Sequence, residues 1–273
     1  MEGFVFHLQA HGLAKATIKN YTVAVKLWHA YCAEAGLTSA SATTNHITTW
    51  LGFLSVDHAP STVRLYTLAM RVYYDYLKAA KIKKGANPAR AITIRKQVAK
   101  PVGILEPYEI KQMLGACQSL QERALLLLMV GGGLRRSEVL SIAREDINFE
   151  RGTIRIWGKG GKWRLIAPGL RAMEATKLAL GWRERVFDNA NPDSVRRALN
   201  TLAERAGITR HVHPHMLRYY FAVNFCENGG GIDLLQTILG HSSLEMSMHY
   251  SRQGRERRAM AAQLQYNPAD RLA

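Results

Sequence analysis

The sequence predicts a mainly α-helical protein of two domains, with one small antiparallel β-sheet in the second. Three observations predict it. Apolar residues recur at steps of three and four along much of the chain, the period of a helix with one buried face. Residues 153–157 and 163–167 instead alternate, and Gly158-Lys159-Gly160-Gly161-Lys162 joins them, which makes a hairpin with lysines at its tip. Between residues 76 and 105 there is no acid, but eight Lys or Arg, broken by Asn87-Pro88, Pro101 and Gly103. That stretch reads as a linker lying against a polyanion and puts the domain boundary near residue 100, giving domains 1–100 and 101–273.

The elements follow in order. Over residues 13–34, Ile18, Tyr21, Val25, Trp28 and Cys32 form an apolar stripe, while Lys15, Lys19 and Lys26 share another face. Gly36 ends this helix. A shorter helix spans about 45–54 and a turn spans 57–60. Ser61 is placed to cap a third helix that runs to about Ala80, with Tyr66, Ala69, Tyr73, Leu77 and Ala80 on its core face. Arg64, Arg71 and Lys78 recur every seven residues and so share one side of it. Basic stripes opposite apolar stripes suit a small bundle gripping nucleic acid; a plain solvated face is the alternative.

Glu106-Pro107-Tyr108-Glu109 opens the second domain as an acidic helix start. The apolar run 124–130 predicts a buried helix stopped by Gly131-Gly132-Gly133, and residues 134–140 begin another. After the hairpin, helices are expected at about 170–186, 193–206, 214–227 and 232–239, the last closed by Gly240. Ser242 and Glu245 suggest a capping box for a helix carrying Tyr250, with a separate helical stretch at about 254–265.

Composition narrows the function. A formal net charge of +16 points to a polyanionic partner, most simply DNA or RNA. Residues 1–105 hold thirteen Lys and Arg against Glu2, Glu34, Asp57 and Asp75. The first segment is thus the more basic per residue. Cys32, Cys117 and Cys226 are far apart and read as reduced, buried residues. No leader pattern opens the chain and no apolar run nears the length of a membrane span, so a cytoplasmic, nucleoid-associated protein is expected.

The chemistry concentrates in residues 215–250. His215, Arg218, His241 and Tyr250 supply phosphate ligands, an imidazole and a nucleophilic hydroxyl, a set suited to phosphoryl transfer through a covalent enzyme intermediate. The run His211-Val212-His213-Pro214-His215 invites a metal reading. No Cys or carboxylate completes it with structural-site spacing, so no metal is expected.

Five ordered motifs carry a resemblance: Gly133-Leu134-Arg135-Arg136-Ser137-Glu138, Gly158-Lys159-Gly160, His215-x-x-Arg218, Leu239-Gly240-His241-Ser242 and Tyr250. Together they resemble the tyrosine recombinase (phage integrase) family over nearly the whole chain, and the N-terminal bundle ending in Asn87-Pro88-Ala89 resembles its core-binding domain. The resemblance implies a site-specific DNA recombinase in which Tyr250 attacks phosphorus, leaving a 3′-phosphotyrosyl link and a free 5′-hydroxyl. Arg135 and Arg218 would fork onto the non-bridging oxygens, where they neutralise charge in the transition state. Lys159 would protonate the leaving 5′-oxygen, with Lys162 on the same turn as runner-up. His215 would bind the phosphate and help take the tyrosine proton, His241 would donate to a non-bridging oxygen, and Glu138 would orient the cations. Tyr219 and Tyr220 read as packing residues, and Tyr266 lacks a partner motif.

The family also implies that two domains clamp a duplex at an inverted-repeat site. Four protomers would exchange strands through a Holliday junction, without metal, ATP or cofactor, with room for an accessory or second recombinase protein. The arginines after Tyr250 would dock on a neighbour. Met246-Ser247-Met248-His249 departs from the threonines common in relatives, and the lack of an arm-binding domain suggests a compact, two-domain Xer-like or Cre-like form. Two rivals stay open: a type IB topoisomerase-like nicking and closing enzyme, and a DNA-binding regulator, which would have no need of Tyr250.

Overall fold

The computed structural model describes residues 1–94, 103–158, 161–188, 191–240 and 244–265. The chain divides into two compact units, Met1–Lys100 and Pro101–Ala273. The first is built on helices α1 (Glu2–Ala10), α2 (Lys15–Glu34), α3 (Thr44–Asp57) and α4 (Pro60–Ala79). Pro60 takes the first position of α4, where its missing N–H is no loss, so Ala59 is the cap residue and Ser61 lies inside the first turn. Val25, Trp28 and Cys32 of α2 and Tyr66, Ala69, Tyr73 and Leu77 of α4 are buried as their spacing requires, whereas Ala80 has left the helix and is exposed. Trp28 is fully buried and meets Trp50 edge-on at 5.3 Å, an arrangement that adds about 1 kcal/mol beyond area burial.

Helix α1, to which periodicity assigned no element, is held by tertiary contact. Phe4 and Leu8, one turn apart, are buried, and Phe4 stands edge-on to Tyr73 at 5.2 Å. A helix this short is marginal without such packing.

Two expectations for this unit fail for the same reason. The linker is shorter than its composition implies, because residues just past α4 are bonded back onto the bundle. Buried Asn87 donates to the Arg71 carbonyl (2.8 Å) and to Asp75 Oδ1 (2.9 Å), and its own oxygen accepts from the Ala89 N–H (2.9 Å). Lys83 Nζ donates to the carbonyls of Ala40 and Ala42 at 2.7 and 2.9 Å. Arg71, expected on the DNA-facing stripe, is turned to the same segment, with Nε on Ala89 O (3.3 Å) and Nη2 on Ile92 O (2.6 Å). Half-buried and bonded to backbone, it serves the fold. Arg95, Lys96 and Lys100 lie outside the described residues.

The second unit contains α5 (Pro107–Gly115), α6 (Leu120–Gly132), α7 (Arg136–Ser141), α8 (Leu170–Leu180), α9 (Pro192–Arg205), α10 (Pro214–Glu227), α11 (Ile232–Leu239) and α12 (Leu244–Gln265). Its antiparallel sheet runs in the order β1 (Ile147–Asn148), β2 (Thr153–Gly158), β3 (Lys162–Ile166), with Ile156 opposite Arg164 and Gly158 opposite Lys162. The two-residue β1 was too short to show a period. The apolar run of α6 is buried from Ala124 to Met129, and the helix continues through Gly132. Gly133 stops it in the left-handed conformation (φ +59°), where any Cβ would strike Phe221 and Leu239. Helix α8 ends at Leu180, short of the expected 186, because Gly181 at φ +52° turns the chain out.

The two helical stretches expected around and after Tyr250 are one continuous helix, α12. It packs within the chain: a Cβ at Gly254 would come within 3.0 Å of the Glu227 N and Val223 O on α10. Arg257, expected to reach a neighbour, pairs with Glu106 of its own unit at 2.7 Å. Cys32 and Cys226 are buried and Cys117 half-buried, and among the described residues no helix is long and apolar enough to cross a membrane.

Candidate active site

The site is assembled where α7, β3, α10 and the end of α11 meet. Glu138 is its centre. As the third residue of α7 it folds back on the residue before the helix, accepting from the Arg135 N–H at 2.9 Å and from Arg135 Nη1 at 2.7 Å. It also accepts a two-pronged fork from Arg164 on β3, Nη1 at 3.0 Å and Nη2 at 2.8 Å, while Arg218 Nη1 stands 3.9 Å away. Burial opposes its ionisation. The hydrogen bonds from Arg164 and from the Arg135 backbone and side chain, with the Arg164 charge, outweigh burial and hold its pKa at about 2.

The arginines also share the C-terminus of α11. Gly240, left-handed at φ +62°, ends that helix and leaves its last carbonyls without intrahelical partners. Leu239 O accepts from Arg218 Nη2 (2.8 Å) and more weakly from Arg135 Nη1 (3.4 Å), and Ile238 O accepts from Arg164 Nε (2.7 Å). Arg218 Nη1 further donates to Gly133 O at 2.6 Å. Three guanidinium groups are thereby held together by one carboxylate and the negative end of a helix dipole. Arg218 is 3 % exposed, whereas the Arg135 side chain keeps a quarter of its surface open.

That open part faces a cavity of about 360 Å³, lined by Arg135, Arg136, Ser137, Arg196, His213 and His215 among others. His215 follows Pro214 at the start of α10 and is open to the cavity at its edge. Partial burial of its ring, then the charges of Arg218, His213, Arg135 and Arg136, hold its pKa below the usual histidine range. Its neutral form, which can accept a proton, is thereby favoured. His213 is also pushed down, by burial and by His211. Among the described residues no group of three His, Cys, Asp or Glu is placed to hold a metal.

The structure thus brings together Arg135, Glu138, His215 and Arg218. Lys162 is exposed and, by strand alternation, shares the face of β3 that carries Arg164. Lys159 and His241 lie outside the described residues, as does the side chain of Tyr250, whose backbone is in α12. Tyr219 is buried, and burial followed by Glu106 and Glu227 raises the pKa of Tyr220, so neither is suited to attack. Sequence reasoning missed Arg164, Arg136 and Arg196. In the first unit Lys15, Lys19, Lys26, Arg64 and Lys78 are exposed. Lys15 occupies the first turn of α2 with no acid beside it, a position where a helix dipole disfavours a cation and an anionic partner would restore the balance.

A cavity lined by Arg135 and His215, with Arg218 and Glu138 buried against Arg135, is a site of the class that binds a phosphoryl group. The profile of the phage integrase family matches residues 104–257, and that of the phage integrase N-terminal SAM-like domain matches residues 1–81. A tyrosine recombinase XerC of Myxococcus xanthus is 32% identical over 92% of both chains, and one from Xanthomonas campestris pv. campestris is 30% identical over 73% of this chain and 67% of its own. The chain belongs to the phage integrase family and is a tyrosine site-specific DNA recombinase. Its fold is shared with solved recombinases. XerH bound to a palindromic difH substrate is 22% identical with a TM-score of 0.75, over 90% of this chain and 79% of that one. A lambda integrase dimer on a COC′ core site is 18% identical with a TM-score of 0.76, over 92% and 75%.

Proposed function

We propose that the chain cuts and rejoins two copies of an inverted-repeat DNA site by transient attachment to Tyr250. The observation that carries this is the arginine centre. Arg135 and Arg218 are locked by Glu138 and the end of α11, so the two guanidinium groups are preorganised as one cationic centre for the non-bridging oxygens of a phosphodiester. The Tyr250 oxygen attacks phosphorus, the P–O5′ bond breaks, and the tyrosine's proton passes toward neutral His215. The leaving alkoxide takes a proton from Lys159, or from its alternative Lys162, and His241 donates to the phosphate. The step balances without a metal, nucleotide or redox partner, and the phosphotyrosyl bond keeps the energy for rejoining.

Lys15, Lys19, Lys26, Arg64 and Lys78 would hold the duplex from the first unit. The domain assignment follows: a DNA-gripping unit before residue 100 and a catalytic unit after it. The family relative lambda integrase forms a tetramer on a Holliday junction, and the same assembly is proposed for this chain in the nucleoid, with room for an accessory or second recombinase. A nicking and closing enzyme would share this chemistry and differ in relaxing DNA without joining distinct sites.

Covalent trapping tests the proposal. The chain and a Tyr250→Phe control are incubated with genomic DNA, denatured, and the attached DNA sequenced. Enrichment of one short inverted repeat with the unaltered chain only supports it; equal DNA binding by both with no adduct from either refutes it.

A further inference from the structure

Arg164 belongs to none of the motifs that define the site, yet it joins three elements that carry them. Its side chain is 10 % exposed, and three donors are engaged: Nε on Ile238 O at 2.7 Å, Nη1 on Glu138 Oε1 at 3.0 Å and Nη2 on Glu138 Oε2 at 2.8 Å. A two-pronged arginine–carboxylate contact fixes the guanidinium plane as well as its distance, which a lysine cannot do. With those donors turned inward, Arg164 is not offered to a substrate phosphate. Its location on the hairpin is the informative part. It lies two residues from Lys162, opposite Ile156, on the strand that returns from the tip.

The hairpin is poorly anchored by apolar contact toward that tip. Ile154, Ile156 and Ile166 are buried at its base, but Trp157, Trp163 and Leu165 are 48, 52 and 64 % exposed. Arg155 ties the outer face down through Trp163 and Asp146. On the inner face, Arg164 is level with buried Ile156, and its contact with Glu138 and Ile238 lies two residues short of Lys162.

We propose that Arg164 is a positioning residue that fastens the β2–β3 hairpin to the arginine centre and so places the hairpin lysine at the leaving oxygen. This rests on the reading above in which Lys159 or Lys162 is the general acid. Glu138 then has two duties, orienting Arg135 and anchoring the group that moves the proton. Loss of such placement slows a reaction on the order of 100-fold.

The test separates proton donation from the rest of the reaction. Two synthetic duplexes carry the site recovered by trapping, one with the ordinary phosphodiester and one with sulfur in place of the bridging 5′-oxygen. With sulfur, the Tyr250 oxygen–phosphorus bond forms as the P–S bond breaks, and the thiolate leaves with its electron pair and needs no proton. Single-turnover cleavage is measured for the unaltered chain, Arg164→Met, Arg164→Lys, Lys159→Met and Lys162→Met.

The expected result is that Arg164→Met cuts the ordinary duplex on the order of 100-fold more slowly and the sulfur duplex at close to the unaltered rate. Arg164→Lys, which keeps the charge and loses the fork, is expected to show the same pattern in weaker form and carries the comparison if Arg164→Met does not fold. Equal slowing on both duplexes, or full activity of Arg164→Lys, would overturn the proposal. If a lysine variant is rescued by sulfur and Arg164→Met is not, the proposal fails alone. If neither lysine variant is rescued, the hairpin is not the acid and the proposal falls with that reading.

Discussion

Glu138→Gln removes one charge from the middle of the arginine centre and leaves its shape almost unchanged. Glu138 is 4 % exposed and its pKa is held at about 2, against an ordinary value of 4.5. That difference corresponds to about 3 kcal/mol of stability at neutral pH. Arg135 is partly open to water, which screens its share, so a loss of about 2–3 kcal/mol is expected for the variant at pH 7.

The pH dependence has a definite sign. A depressed carboxylate pKa stabilises above the unfolded value and loses that effect as pH falls through the folded one. The gap between the unaltered chain and Glu138→Gln should therefore be full at pH 7, shrink by about 1 kcal/mol at pH 3.5, and close toward pH 2. Urea unfolding read by hydrogen-exchange mass spectrometry resolves the two units, with peptides from residues 1–94 as an internal control. Equal stability at pH 7, or a gap that does not change between pH 7 and 3.5, would refute the electrostatic account.

Two further perturbations test the cavity. Because His215 has a pKa below the usual 6.5, cleavage should be flat across neutral pH and fall only below that value as the imidazole is protonated. A pH–rate profile whose acid limb lies at or above 6.5 would contradict this. His215→Gln should remove the limb and slow cleavage on the order of 100-fold or more. Arg136 and Arg196 line the cavity beside Arg135, and replacing both by Ala should lower the slope of log affinity against log salt by about 1.8 on duplex DNA if each meets one phosphate. Arg71→Ala should leave that slope unchanged and instead destabilise the first unit, because its donors hold the carbonyls of Ala89 and Ile92.

Arg64 and Arg71 illustrate what the sequence could and could not show. Both fit the same seven-residue stripe, and the sequence does not show that residues 87–92 return onto α4 and take up the Arg71 donors. The long helices were legible because each buries one face with a regular period, and the hairpin because its alternation is bounded by glycines. Helix α1 offers just two buried residues, Phe4 and Leu8, too few for a period to stand out. Arg135, His215 and Arg218 were readable as motif residues with a chemical purpose. Arg164 was not: in the strand Trp163-Arg164-Leu165-Ile166 it looks like one more outward polar residue. Its partners Glu138 and Ile238 are 26 and 74 residues away in sequence. A long-range ion pair leaves no local signal in a single sequence.

The footing of the three arginines on Leu239 O, Ile238 O and Gly133 O has a consequence for how such a protein can change over time. Every amino acid supplies the same carbonyl. Positions 133, 238 and 239 can therefore drift in identity, so far as packing and the left-handed turn at 133 allow, without moving the atoms that seat the guanidinium groups. What must be inherited are the places where two helices, α6 and α11, stop. A centre built this way is transmitted by shape more than by spelling, and it can outlast wide divergence in the residues around it.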